Sequence, residues 1–171
     1  LSLKNAKTLC SSIADALCEI DSKNADVYKK NLNEYTKNLD ALDKEYQQVV
    51  NSAKYDTLVF GDRFPFRYMA DDYDLKYYAA FAGCSAETMA GFETVTFLAK
   101  KADELQLPVI LTIENSDGRI AEAIKSNTTK KNQKILAMNS LQSVTKEQLA
   151  DGITYLQVMQ ENLSALSEAL D

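Results

Sequence analysis

The residues of this chain that could do chemistry fall in four short polar stretches, each close behind an apolar run. They are Gly61-Asp62-Arg63, Gly83-Cys84-Ser85-Ala86-Glu87, Glu114-Asn115-Ser116-Asp117 and Asn139-Ser140. Together they hold carboxylates, amides, hydroxyls, one thiol and one guanidinium, a set suited to a polar ligand or a cation. No histidine occurs in the 171 residues, which removes the usual general base and the commonest metal ligand. The catalytic patterns are missing as well. There is no Gly-x-Ser-x-Gly elbow, no Gly-x-x-x-x-Gly-Lys phosphate loop and no Gly-x-Gly-x-x-Gly after a strand. Cys84 has no histidine to activate it and lies between neutral residues, so it reads as a structural thiol. These residues point to binding, not to bond-making.

Each stretch also has an ordinary explanation. Ser85, Ser116 and Asp117 are common helix N-caps, and an exposed Asp62–Arg63 pair would be worth under ~1 kcal/mol. Glu114 is harder to set aside. It directly follows the apolar run 109–113, and a carboxylate at a buried strand end needs a partner to stay ionised.

The four stretches meet only if parallel strands deliver them to one edge. Short apolar runs at 57–60, 77–81, 109–113 and 135–138 read as strands, the first of them buried on both faces. Helical spacing recurs between and after them, at about 64–73, 86–106, 117–128 and 145–169. In the last of these, Leu149, Ile153, Leu156, Leu163, Leu166 and Leu170 form the stripe. Alternating strands and helices predict an α/β fold, a four-stranded parallel sheet with helices on both faces. Ligands of such sheets bind at the carboxyl edge, where the polar stretches would lie.

Two helices precede the sheet. Residues 1–20 carry Leu3, Ala6, Cys10, Ile13, Leu17 and Ile20 on one stripe behind a Ser2 cap. Residues 22–51 form a longer helix with a narrow seam of Tyr28, Leu32, Tyr35, Leu39, Leu42, Tyr46 and Val49. About 30 helical residues span ~45 Å, more than one small lobe usually covers. The seam is expected to be covered at its near end by helix 1–20 and to recruit a partner elsewhere, self-association included. The composition change near 51–56 divides the chain into a helical segment, 1–52, and an α/β lobe, 53–171.

Bulk composition narrows the partners. With 46% hydrophobic and 26% charged residues the chain is globular. A net charge of −6 argues against a nucleic-acid partner. The three cysteines, Cys10, Cys18 and Cys84, have neither disulfide-framework nor Cys-x-x-Cys spacing. The opening Leu1-Ser2-Leu3 lacks an initiator methionine and a signal-like segment, so the chain reads as a piece of a longer or processed protein.

Taken in order, the segments resemble the metal-binding solute receptors of bacterial zinc and manganese ABC importers. The resemblance runs from Leu1-Ser2-Leu3-Lys4-Asn5-Ala6 through Ile13-Ala14-Asp15-Ala16-Leu17 and Asp21-Ser22-Lys23-Asn24-Ala25-Asp26-Val27-Tyr28. It continues in Leu39-Asp40-Ala41-Leu42-Asp43-Lys44-Glu45-Tyr46 and ends in Tyr155-Leu156-Gln157-Val158-Met159-Gln160-Glu161-Asn162-Leu163. It implies the linking helix and C-terminal lobe of a two-lobed receptor that is not an enzyme. An upstream N-terminal lobe would supply two histidine ligands, and a membrane permease would receive the metal. Such receptors are extracytoplasmic, either lipid-anchored at the cell surface or periplasmic.

The resemblance also implies departures at the metal. The position where the family carries His or Glu after the first strand of this lobe is Gly61, and the later acidic position is Asn139. Asp62 is then the substitute ligand, Asn139 offers a neutral oxygen, and Glu114 supports the site. Gly61, Arg63 and Cys84 complete the cleft. Zinc or manganese is the implied ion of the intact protein, with none held by this piece alone. The alternative is a family member with a degenerate site that acts as an interaction or other-ligand module. Arg63 is expected to pair with Glu114, since pairing with its neighbour Asp62 looks sterically awkward.

Overall fold

Apolar side chains alternating between two faces explain why the strands lie inside the molecule. The computed structural model describes residues 1–81 and 90–171. Strands β1 (Thr57–Arg63), β2 (Lys76–Phe81), β3 (Val109–Ile113) and β4 (Lys134–Met138) form one sheet in the order β2-β1-β3-β4. Every pairing is parallel. Along β1, Leu58 and Phe60 enter one core and Val59 the other; along β3, Leu111 and Ile110 divide in the same way. All five β3 residues are buried.

Helices cover both faces. On one side lie α2 (Ala25–Ser52), α3 (Arg67–Asp72) and α7 (Tyr155–Leu170), which contribute Leu39, Tyr46, Met69, Leu163 and Leu166 to the larger core. On the other, α4 (Phe92–Glu104) and α5 (Arg119–Asn127) place Leu98, Ala102 and Ile124 against Val59 and Ile110. Helix α1 (Leu3–Ile20) precedes a short 3-10 turn at Ser22–Asn24 and packs along α2, while α6 (Lys146–Ala150) precedes α7. The expected four-stranded parallel α/β sheet, with a long helix before it, is the architecture found.

Four details differ from the sequence reading. Strand β1 runs on to Arg63, so Gly61-Asp62-Arg63 ends a strand instead of forming a turn after it. Helix α3 starts at Arg67, after Pro65 and Phe66, and is only six residues long. The helix expected over 145–169 is two helices. Gly152 adopts φ +73 between them, and the Thr154 hydroxyl accepts the Gln157 N–H to cap α7. Finally, the α1 stripe is covered only near its start. Leu3 is 2% exposed, but Ile13 is 59% and Ile20 83% exposed, because α2 meets α1 on its Ala14 side.

The buried Tyr46 and Tyr73 and the half-buried Tyr155 tie α2, the end of α3, α7 and the chain start together. The Tyr46 hydroxyl donates to the Met159 carbonyl at 2.6 Å, and its ring stacks on Tyr73 with centroids 5.2 Å apart. The Tyr73 hydroxyl donates to Asp43 at 2.7 Å, and that of Tyr155 to the Ser2 carbonyl at 3.4 Å. Burial raises all three phenols above the ordinary value. Tyr155 is pushed up to about 12, while Tyr46 and Tyr73 rise further, the latter helped by the hydrogen bond to Asp43. A raised folded-state value stabilises fully below the unfolded value, about 10, and that stability is lost as pH rises through the folded one. The melting temperature should therefore hold to about pH 9.5 and fall from about pH 10 upward, less steeply in Tyr155→Phe. A wild-type profile flat to about pH 12 would contradict this.

Candidate functional site

The carboxyl edge of the sheet is built from the last residues of β1, β3 and β4. Between Phe60 and Arg63, β1 carries one residue more than β2 opposite, a bulge in the register. A bulge breaks the alternation of a strand and re-aims side chains. Here it brings Asp62 and Arg63 together: the Arg63 Nε lies 3.8 Å from Asp62 Oδ1, which also accepts the Arg63 backbone N–H at 2.8 Å. The expected Arg63–Glu114 pair is thus replaced by an Arg63–Asp62 pair. Asp62 Oδ2 accepts the Ser116 hydroxyl from the turn after β3.

Gly61 lines the cleft beside Asp62 and Arg63 as expected, but only with its backbone, and a ligating side chain has no room there. It is buried, and a Cβ built on it would lie 2.6 Å from Ala121 Cα and 2.7 Å from Ala121 Cβ. The glycine is there so that α5 can approach β1.

Glu114 and Asn139 form a second group. Both Glu114 oxygens are taken by Ser140: Oε2 accepts its backbone N–H at 2.7 Å and Oε1 its hydroxyl at 2.6 Å. The Asn139 side-chain oxygen accepts the Leu141 N–H at 2.8 Å. Its backbone is held by Asn162 on α7, which accepts the Asn139 N–H and donates to the Asn139 carbonyl. The turn 114–118 joins the two groups, with Ser116 reaching Asp62 on one side and Glu114 reaching Ser140 on the other. Asn115, at φ +59, donates to Ser143 and fixes the same turn from above.

A shallow cleft of about 200 Å³ opens at the first group, lined by Asp62, Arg63, Ser116 and Asp117 among others. Asp117 is exposed and pairs with Arg119 at 3.2 Å. The structure therefore brings Asp62 and Arg63 to one cleft and places Glu114 and Asn139 beside it on the same edge. Cys84 lies outside the described residues. Sequence reasoning took Ser116 for a helix cap and gave Asn162 no role. Asn162 had a signal in the sequence, an amide at helical spacing between Met159 and Leu166, and it is 2% exposed.

The donors offered here are carboxylate, amide and hydroxyl oxygens, which suit hard divalent ions better than soft ones. Among the described residues, no three His, Cys, Asp or Glu side chains are grouped so as to hold a metal ion. Oxygens of this kind can serve as part of a divalent cation's coordination shell. Among the described residues, no helix is long and apolar enough to cross a membrane.

Known proteins resemble this chain along nearly its whole length. A family model described as the periplasmic component A of the zinc-uptake complex, ZnuA, matches residues 1–169. The zinc-binding lipoprotein AdcA of Streptococcus pneumoniae is 29% identical over 171 residues, all of this chain and 33% of that protein. The high-affinity zinc uptake system protein ZnuA of Bacillus subtilis is 28% identical over 170 residues, covering 99% of this chain and 50% of that one. The chain thus spans between a third and a half of the length of these two relatives. Among solved structures, the Zn(II)-bound ZnuA-like domain of Streptococcus pneumoniae AdcA superposes with a TM-score of 0.80 at 28% identity, covering 99% of this chain and 62% of that one. The metal-dependent lipoprotein YcdH of Bacillus subtilis gives a TM-score of 0.84 at 26% identity, with coverage of 99% and 62%.

Proposed function

The chain belongs to the family of zinc-uptake complex component A, and from that membership we propose that it is the linking helix and C-terminal lobe of an extracytoplasmic metal receptor. The receptor captures a divalent ion, zinc or manganese, outside the membrane and hands it to an ABC permease. It is a binding protein, not an enzyme. The match over residues 1–169 is the observation that carries the reading. Asp62 is the ligand from this lobe, with Glu114 and Asn139 behind it holding charge and shape. The remaining ligands come from the rest of the receptor, and α2 is the strut that joins the lobes.

One feature favours a second reading, an interaction module with a degenerate site. Asp62, Glu114 and Asn139 each already have an internal partner, and a guanidinium lies beside Asp62. Deleting the gene in its own host separates the two. The receptor reading expects growth to fail when zinc and manganese are chelated and to recover when either ion is restored. Growth independent of both ions would favour the module.

The chain by itself is expected to bind zinc weakly, because ligands gathered from two lobes must be pre-organised before binding offsets their ordering. Titration calorimetry on the 171 residues should give a dissociation constant, on the order of 100 μM or weaker, set by so few ligands. Sub-micromolar binding with an unchanged fold would contradict a partial site.

A further inference from the structure

We propose that Ser116 is a positioning residue for this lobe, the group that decides which Asp62 oxygen can reach a cation. The inference rests on the reading that this edge faces a divalent ion. A carboxylate oxygen offers about two acceptor positions. On Asp62, Oδ1 receives the Arg63 backbone N–H at 2.8 Å and has the guanidinium Nε at 3.8 Å, so positive charge already occupies that side. Oδ2 receives the single proton of the Ser116 hydroxyl and, among the described residues, no second donor. A second cation is repelled from the Oδ1 side, so among the described residues Oδ2 is the Asp62 oxygen more open to it.

Ser116 is itself held. Its oxygen accepts the Gly118 N–H at 3.2 Å, and Gly118 sits at φ +70, a conformation that suits glycine. The Ser116 N–H donates to the Ile113 carbonyl at 3.3 Å. The hydroxyl proton is therefore aimed at Asp62 by the backbone of its own turn. That turn is tied on its other side to β4 through Glu114 and Ser140. Ser116 thus transmits the position of the β3 and β4 ends to Asp62 Oδ2. Hydrogen bonds of this kind to a ligating carboxylate commonly carry a 10–100-fold effect on metal affinity.

The test is amide NMR of the 171-residue chain titrated with Mn²⁺, whose paramagnetism broadens nearby signals even when binding is weak. In the wild type, the amides of Arg63, Ser116 and Gly118 should broaden first, and Asp62→Asn should abolish that selectivity. Ser116→Ala should require about tenfold more Mn²⁺ or above for equal broadening. Ser116→Thr, which keeps the hydroxyl, should restore wild-type behaviour. A purely structural role would lower the melting temperature in both variants without separating them by hydroxyl. If Ser116→Ala broadens like the wild type while Asp62→Asn does not, the role of Ser116 is overturned and the metal reading stands. If the wild type shows no selective broadening at this edge, both are overturned.

Discussion

Replacing Gly61 by alanine is expected to lower the unfolding free energy by about 3 kcal/mol, the upper end of what overpacking costs. The added methyl would sit 2.6 Å from Ala121 Cα and 2.8 Å from Ala121 N, so the obstacle is the backbone of α5 and not a side chain that can swing away. Relief would require α5 to lift from Val59 and Ile110, opening the smaller core. At roughly 2–4 °C per kcal/mol for a chain of this size, the melting temperature should fall by about 6–12 °C. Ala121→Gly should rescue only part of this, because it removes the Cβ contact and leaves Cα and N in place. Gly61→His, which puts an imidazole where the resemblance implied a ligand, should damage the fold more than alanine does and create no zinc site. A stable Gly61→His chain that gains zinc would show that α5 yields there.

Replacing Tyr46 by alanine is expected to cost about 4 kcal/mol, as for other large buried aromatics. Tyr46 is 0% exposed, stacks on Tyr73 and donates to the Met159 carbonyl. It ties α2 to α7 through Met159 and to the end of α3 through Tyr73. Tyr46→Phe keeps the ring and should cost only about 1 kcal/mol, the net worth of one hydrogen bond. Denaturant midpoints of the two variants measure the split. Equal losses would mean that the hydroxyl, and not packing, anchors the long helix.

The sheet was legible because each strand carries a short apolar run, fully buried in the central β1 (over 57–60) and β3 and only partly buried in the edge strands β2 and β4. The interrupted last helix was not legible. One glycine inside a helical stripe is tolerated often enough that Gly152 alone does not announce a break. Helical periodicity on α1 located a face but could not say whether anything covers it, which is why Ile13 and Ile20 prove exposed. At the site, residue types were readable and partners were not. The β1 bulge that turns Asp62 toward Arg63 follows from its register against β2, a long-range property. Ser116 meets Asp62 from 54 positions away, and Ser140 meets Glu114 from 26, so no local spacing could betray either pair.

The claim that Asp62 is the metal-facing group of this lobe is tested most directly by anomalous diffraction at the zinc edge, from crystals of the chain soaked in zinc. The account predicts a zinc peak at about 2.0–2.2 Å from an Asp62 oxygen, a normal zinc–carboxylate distance. It further predicts that this oxygen is Oδ2, with the Ser116 hydroxyl still bound to it. Zinc bound elsewhere on the carboxyl edge, with Asp62 closed between Ser116 and Arg63, would contradict it.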